Sequence, residues 1–306
     1  MTLPSTPVTR SRNSFGETYG LPKNESRSAA VELANTRLTE ITLTSLPSIE
    51  LLGVPVNPVT IEQAADRVVD AAASGKGGWV VTPNLDILRR AVCDPEFRRL
   101  YDATTLRIAD GMPLVWASRL RGTPVPERAA GSDLIYVLAA RAASAGVSMF
   151  LLGGNPGAAE KTAEALTRLH PTLQIAGIEC PAPGFEQDER TMASIVQSVA
   201  ASGAGIVLVA LGCPKQEKLI AVMRPQLPRT WFLGIGITFS FVAGEVQRAP
   251  MWMRRSGLEW IHRLVQEPRR LARRYLVDGL PFAMRLFAVS VAERGIWKTS
   301  DARGSV

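Results

Sequence analysis

The feature that most constrains this chain is a series of short apolar runs, at 78–82, 106–109, 148–152, 173–178, 205–211 and 230–235. Segments with helical spacing alternate with them, near 60–74, 86–102, 112–121, 132–145, 156–169, 189–202 and 214–226. Continuous apolar strands separated by helices predict a mostly parallel sheet covered on both faces, a Rossmann-like α/β architecture. Several runs close on small or polar residues: VVTPN, IADG, LLGGNPG, VALGCPKQE and FLGIGITFS. In open α/β sheets ligands sit beyond the carboxyl ends of strands, so these five loops outline a candidate site.

Composition narrows the setting. The chain has 306 residues and a formal charge of +7, a surplus that favours an anionic partner. Cys93, Cys180 and Cys213 show no metal-binding spacing, and three cysteines suit a reduced, cytoplasmic compartment. Residues 1–48 are polar and lack the apolar region of a secretory leader, so they predict a disordered or weakly ordered extension. The stretch from 280 to 296 is apolar but carries Arg285, Glu293 and Arg294, which argues against a membrane span. These features divide the chain into an extension at 1–48, an α/β core at 49–247 and a basic helical appendage at 248–306.

The candidate residues each have two readings. Asp110, at a strand end before Gly111, is placed to act as a general base or to cap the helix opening near Met112, and the local sequence favours the cap. Thr82 and Asn84 offer hydrogen bonds to a sugar or phosphate, with helix capping the alternative for Asn84. The loop Gly153–Gly154–Asn155–Pro156–Gly157 either cradles a phosphate or makes a tight strand-to-helix turn. Arg128 suits bidentate phosphate recognition; Ser132 or Asp133 stands where a helix cap would. Lys215 and Gln216 open a helix after a strand. A nucleophilic Cys213 is disfavoured, because His170 and His262 lie at no comparable strand end. No D-x-D motif or histidine cluster is present, so the reading requires no metal.

The appendage has its own character. From Arg248 to Arg274 there are eight arginines against Glu259 and Glu267, interleaved with Trp252, Trp260, Leu264 and Val265. Pro268 should divide this segment into two helices. Basic residues beside Trp and Leu suit a helix on an anionic membrane, while the same apolar residues would also serve a core contact or an oligomer interface.

The segments TPNLDILRRA, IADGMPLVWASRLRG, ERAAGSDL, LLGGNPGAAE, LGCPKQEKLI, GIGITFSFVAGEVQRAP and GLEWIHRLVQEPRRLARRY occur in one order. Together they resemble the WecG/TagA/CpsF glycosyltransferases over roughly residues 49–275. The resemblance implies an inverting enzyme, peripheral on the inner face of the cell membrane. It would move a sugar from a UDP-sugar, with no other cofactor, to an undecaprenyl-diphosphate-linked glycan of exopolysaccharide, capsule, teichoic acid or common antigen. It implies Asp110 as catalytic base, with Thr82, Asn84, Arg128 and Gln216 around it; Asp133, in the polar cluster with Arg128, is a further substrate-binding candidate. It also implies that Arg263, Arg270 and Arg273 approach the diphosphate from the tail. Ser240 stands where many relatives carry Asp; if that Asp serves to bind the nucleotide or donor, this chain's donor contacts differ.

Two other classes share parts of the pattern. A Rossmann oxidoreductase shares the alternation, but G-x-G-x-x-G is missing from the first βα unit. A nucleic-acid-binding protein shares the basic tail, but the interleaved Trp and Leu fit a membrane or a packed helix better. The expectation is therefore a transferase that binds no nucleic acid, with homo-oligomerisation left open.

Overall fold

A computed structural model describes residues 46–294. The expectations for residues 1–45 and 295–306 lie outside the described residues. Order extends slightly ahead of the expected start at Ile49: Leu46 packs against the core, and the Pro47 carbonyl accepts from Asn57 at 3.2 Å. A small antiparallel hairpin comes first, β1 (Ile49–Leu51) and β2 (Val54–Val56).

The main sheet has β3 (Gly78–Val81), β4 (Leu106–Arg107), β5 (Met149–Gly153), β6 (Ile175–Glu179), β7 (Ile206–Ala210) and β8 (Trp231–Gly234). Their order is β4-β3-β8-β7-β5-β6, and all pairings are parallel. The chain leaves β5 toward β6 and β7 toward β8, in opposite directions. The strands stay paired to their last residues, Gly153 and Ala210, and it is the connections beyond them that part, the arrangement at which open α/β sheets place their ligands.

Side chains alternate across the strands. Val80, Leu151, Leu208 and Leu233 pack with α1 (Ile61–Ala73), α5 (Gly131–Ala145) and α6 (Ala158–Leu169). Trp79, Phe150, Val207 and Phe232 face the other way, toward α7 (Glu189–Ser202) and α8 (Lys215–Met223). Strands buried on both faces explain why the sequence shows unbroken apolar runs rather than alternation. A third apolar cluster joins the hairpin to α2 (Leu85–Cys93), α3 (Pro95–Asp102) and α4 (Met112–Arg121). The expected single helix over 86–102 is two helices. Asp94 ends one and caps the other, accepting from the Glu96 and Phe97 N–H groups, and Pro95 fills the first helical position.

After β8 a short helix, α9 (Thr238–Val242), leads into the appendage: α10 (Met251–Arg255), α11 (Glu259–Gln266) and α12 (Pro268–Ala272). Pro268 separates α11 from α12 as expected. Helix then runs on through a π-helical stretch, Arg273–Gly279, into α13 (Leu280–Ala292). Counted from Pro268 to Ala292 it spans 25 residues, long and apolar enough to cross a membrane by length and composition. That corrects the expectation read from 280–296 alone, which missed the helical continuity upstream. Yet Phe282, Ala283, Leu286 and Ser290 of α13 are buried, and Trp116 of α4 meets Phe287 with ring centroids 6.4 Å apart. One face of this helix is thus part of the protein core.

Candidate active site

The loops after β3 and β4 run against each other. The Asp110 N–H donates to the Pro83 carbonyl at 2.8 Å, and the Ala109 carbonyl accepts from Ala129 at 2.8 Å. Those two bonds bring Thr82–Pro83–Asn84, Asp110 and the segment leading to Arg128 into one place. Gly111 has φ 122°, a conformation a side chain would strain, and is itself the N-cap of α4 with no side-chain capping bond. Asp110 is therefore not the helix cap that local sequence favoured. The left-handed turn at Gly111 separates its carboxylate from the helix start.

Burial pushes the Asp110 carboxyl up to about 6; Arg128 pulls it down, Glu259 and Asp133 push it up, and Arg263 pulls it down. Part of the residue remains accessible while the carboxyl sits among protein groups. A carboxylate poised near neutrality, with no hydrogen-bonded partner of its own among the described residues, is suited to take a proton.

Arginine and carboxylate alternate around it. Arg128 donates to Glu259 at 2.5 Å and to Asp133 at 3.4 Å. Arg248 forks onto Asp133 at 2.7 and 3.0 Å, and Arg254 approaches the same carboxylate at 3.7 Å. Burial alone would raise the Asp133 pKa, but the Arg248 hydrogen bonds and charge outweigh it and hold Asp133 below the usual range. Neither Ser132 nor Asp133 caps α5. Its N-cap is Ala130, without a side-chain bond, and the Asp133 carboxylate is committed to arginines instead.

Other expected residues prove structural in their immediate contacts. Asn84 caps α2, accepting from the Asp86 and Ile87 N–H groups at 3.1 Å. The Thr82 hydroxyl is buried and donates to the Gly234 carbonyl at 3.4 Å, tying β3 to β8. Gln216 is 2% exposed; its Oε1 accepts from the Gly236 N–H at 3.0 Å and its Nε2 donates to Glu217 at 2.9 Å. It thereby fixes the loop after β8 from behind. Gly234 makes room for it: a Cβ there would stand 2.6 Å from Gln216 Nε2. Ser240 is buried and accepts from Asn155 Nδ2 at 3.3 Å, while the same amide donates to Glu245 at 2.9 Å. The charged groups acting on Cys213 are Glu217, Arg90 and Asp86, with no histidine among them, and burial pushes its thiol up. That opposes a thiolate nucleophile.

The tail arginines divide. Arg263 stacks 5.8 Å from the Phe241 ring and acts on Asp110. Arg270 is exposed and pairs with Glu267 at 2.5 Å, and Arg273 is exposed. Neither joins the paired charges around Asp110. Arg274 reaches Asp86 at 3.0 Å, close behind Asn84. Sequence reasoning missed Arg248, Arg254, Arg274, Glu217 and Glu259. The one available signal was for Glu259, one of two acids in an otherwise arginine-rich segment.

An all-parallel sheet, polar loops gathered at its carboxyl edge and a half-hidden carboxylate among arginines define a Rossmann-like α/β protein with a charged candidate site. The chain belongs to the Glycosyl transferase WecG/TagA/CpsF family, whose model matches residues 49–295. It is therefore a glycosyltransferase of cell-surface polysaccharide synthesis. The match takes in the appendage as well as the sheet, so the tail is part of what defines the family.

Proposed function

We propose that the protein is an inverting, metal-independent hexosyltransferase. It moves the sugar of a UDP-sugar onto an undecaprenyl-diphosphate-linked acceptor, working peripherally on the inner face of the cell membrane. The observation that carries this reading is the Asp110 carboxylate at the carboxyl edge of the sheet, with a pKa near neutrality and Arg128 and Arg263 acting on it.

The chemistry follows in one displacement. Asp110 accepts the proton of the acceptor hydroxyl as its oxygen bonds to the anomeric carbon. The bond from that carbon to the UDP oxygen breaks on the opposite face, and UDP leaves with the electron pair. Arg128 and Arg263 offset the charge that builds on the departing diphosphate. Thr82, Asn84 and Gln216 hold the strand-end loops in the shape the substrates meet. Asp133 spreads the arginines around it, and Arg270 and Arg273 are exposed where lipid diphosphate would approach.

Asp110→Asn tests the assignment. It should lower turnover by about 10²–10⁴-fold while the circular-dichroism spectrum stays that of the parent. Near-normal transfer by purified Asp110→Asn on a short-chain lipid-diphosphate acceptor would remove Asp110 from the mechanism.

A further inference from the structure

The appendage carries eight arginines and two acids between Arg248 and Arg274. Glu267 serves its own neighbour, Arg270, at the surface. Glu259 does the opposite. It lies in the first turn of α11 and turns inward to Arg128, and the two side chains are only 18% and 14% exposed. Amid so many nearby cations, this acid pairs with the one arginine contributed by the core beside Asp110.

Arg128 has several carboxylates to choose from. Its Nη1 holds Glu259 at 2.5 Å and its Nη2 holds Asp133 at 3.4 Å. Asp133 is already occupied by the Arg248 fork and by Arg254, which explains its looser hold. Glu259 is thus the principal anchor of the guanidinium. An unanchored arginine in a partly desolvated site would turn to the remaining carboxylate, Asp110, because an ion pair strengthens as water is excluded. A base paired to an arginine is a weaker base.

We propose that Glu259 is a positioning residue for the transfer reaction: it holds Arg128 beside Asp110 in an orientation that leaves the Asp110 carboxylate free. This rests on the reading of Asp110 as general base. The groups acting on Asp110 are Arg128 ahead of α5, Asp133 within α5, and Glu259 and Arg263 on α11. Removing the Glu259 charge takes away one influence that raises the Asp110 pKa and releases another, Arg128, that lowers it.

The test compares the parent, Glu259→Gln, Glu259→Asp and Asp110→Asn in one transfer assay from pH 4.5 to 9 (a range of about four and a half units around the expected limb). In Glu259→Gln the acid limb of kcat/KM should move to lower pH by about one unit. Its plateau should fall by about 10²-fold, as expected for a misplaced group in a site. Glu259→Asp should recover part of both, with thermal unfolding of both variants matching the parent. A lowered plateau with an unmoved limb would reduce Glu259 to a tail-docking contact. A gain in donor affinity on Glu259→Gln would make it a competitor for the anion site of Arg128, and would equally overturn the proposal. Asp110→Asn separates the two layers: if it stays active the general-base reading fails, whereas an inactive Asp110→Asn with a normal Glu259→Gln limb sinks this inference alone.

Discussion

At the scale of single residues, Asp110 sets function against stability. Its folded pKa of about 6 lies above the ordinary value of 3.8, so the folded state holds its proton more tightly than the unfolded chain. The sign follows from linkage. Below both values the protonated acid favours the fold, and as pH rises through about 6 that advantage is lost. At pH 8 the protein therefore carries a buried charge that costs about 1–3 kcal/mol. Asp110→Asn removes that charge. Its unfolding midpoint in urea should exceed the parent's at pH 8, and the difference should shrink as pH falls from 7 toward 4, a window of about three units. A variant no more stable than the parent at pH 8 would mean that the carboxylate is well solvated. The residue most central to the proposed chemistry would then be an ordinary surface acid.

At the scale of elements, the loops matter through what fastens them. Gln216 stands at the start of α8 and holds the N–H of Gly236 beyond β8, and Gly234 yields the space its amide fills. Gly234→Ala should displace that amide and release the loop, raising the KM for the sugar donor, with a stability loss of about 1–3 kcal/mol. Steady-state kinetics beside a thermal melt would check it. Unchanged KM and melting would show that the loop holds its shape without Gln216. These elements also show what the sequence made legible. The strands, most of the helices and the Pro268 break can be read from apolar runs and proline alone, because both depend on local chemistry. The place of Asp110 at the sheet edge follows from a strand end in a parallel sheet, whereas Arg128 and Asp133 follow no strand and reach it through the bond from Ala129 to Ala109. Glu259 and Arg248 were not legible, because their roles depend on how a tail of similar-looking arginines turns over the core. Asp110 was misread locally as a cap for a related reason: its freedom comes from the φ of Gly111, which no propensity for aspartate records.

At the scale of the whole molecule, the appendage has an inward and an outward set of groups. Inward, Arg248 and Arg254 pair with Asp133, Arg263 lies over Phe241, Arg274 pairs with Asp86, and Leu271, Phe282 and Leu286 join the apolar interior. Outward stand Arg269, Arg270 and Arg273, with Trp252, Val265, Val277 and Met284 each more than half exposed. Large apolar side chains in water cost free energy unless another surface covers them, and interleaved arginines select an anionic one. The full-length protein should therefore co-sediment with vesicles containing anionic phospholipid, much less with zwitterionic vesicles, and less again when salt is raised to about 0.5 M. Changing Val265 and Val277 together to Glu should weaken vesicle binding by at least about tenfold, since each buried valine contributes about 1.5–3 kcal/mol. The same double variant should leave transfer to a short-chain, water-soluble acceptor unchanged, because neither side chain belongs to the charge cluster around Asp110. If vesicle binding survives the change while the protein shifts from a larger assembly to a monomer, these side chains cover one another between copies of the chain. The membrane would then have to be met by some other face.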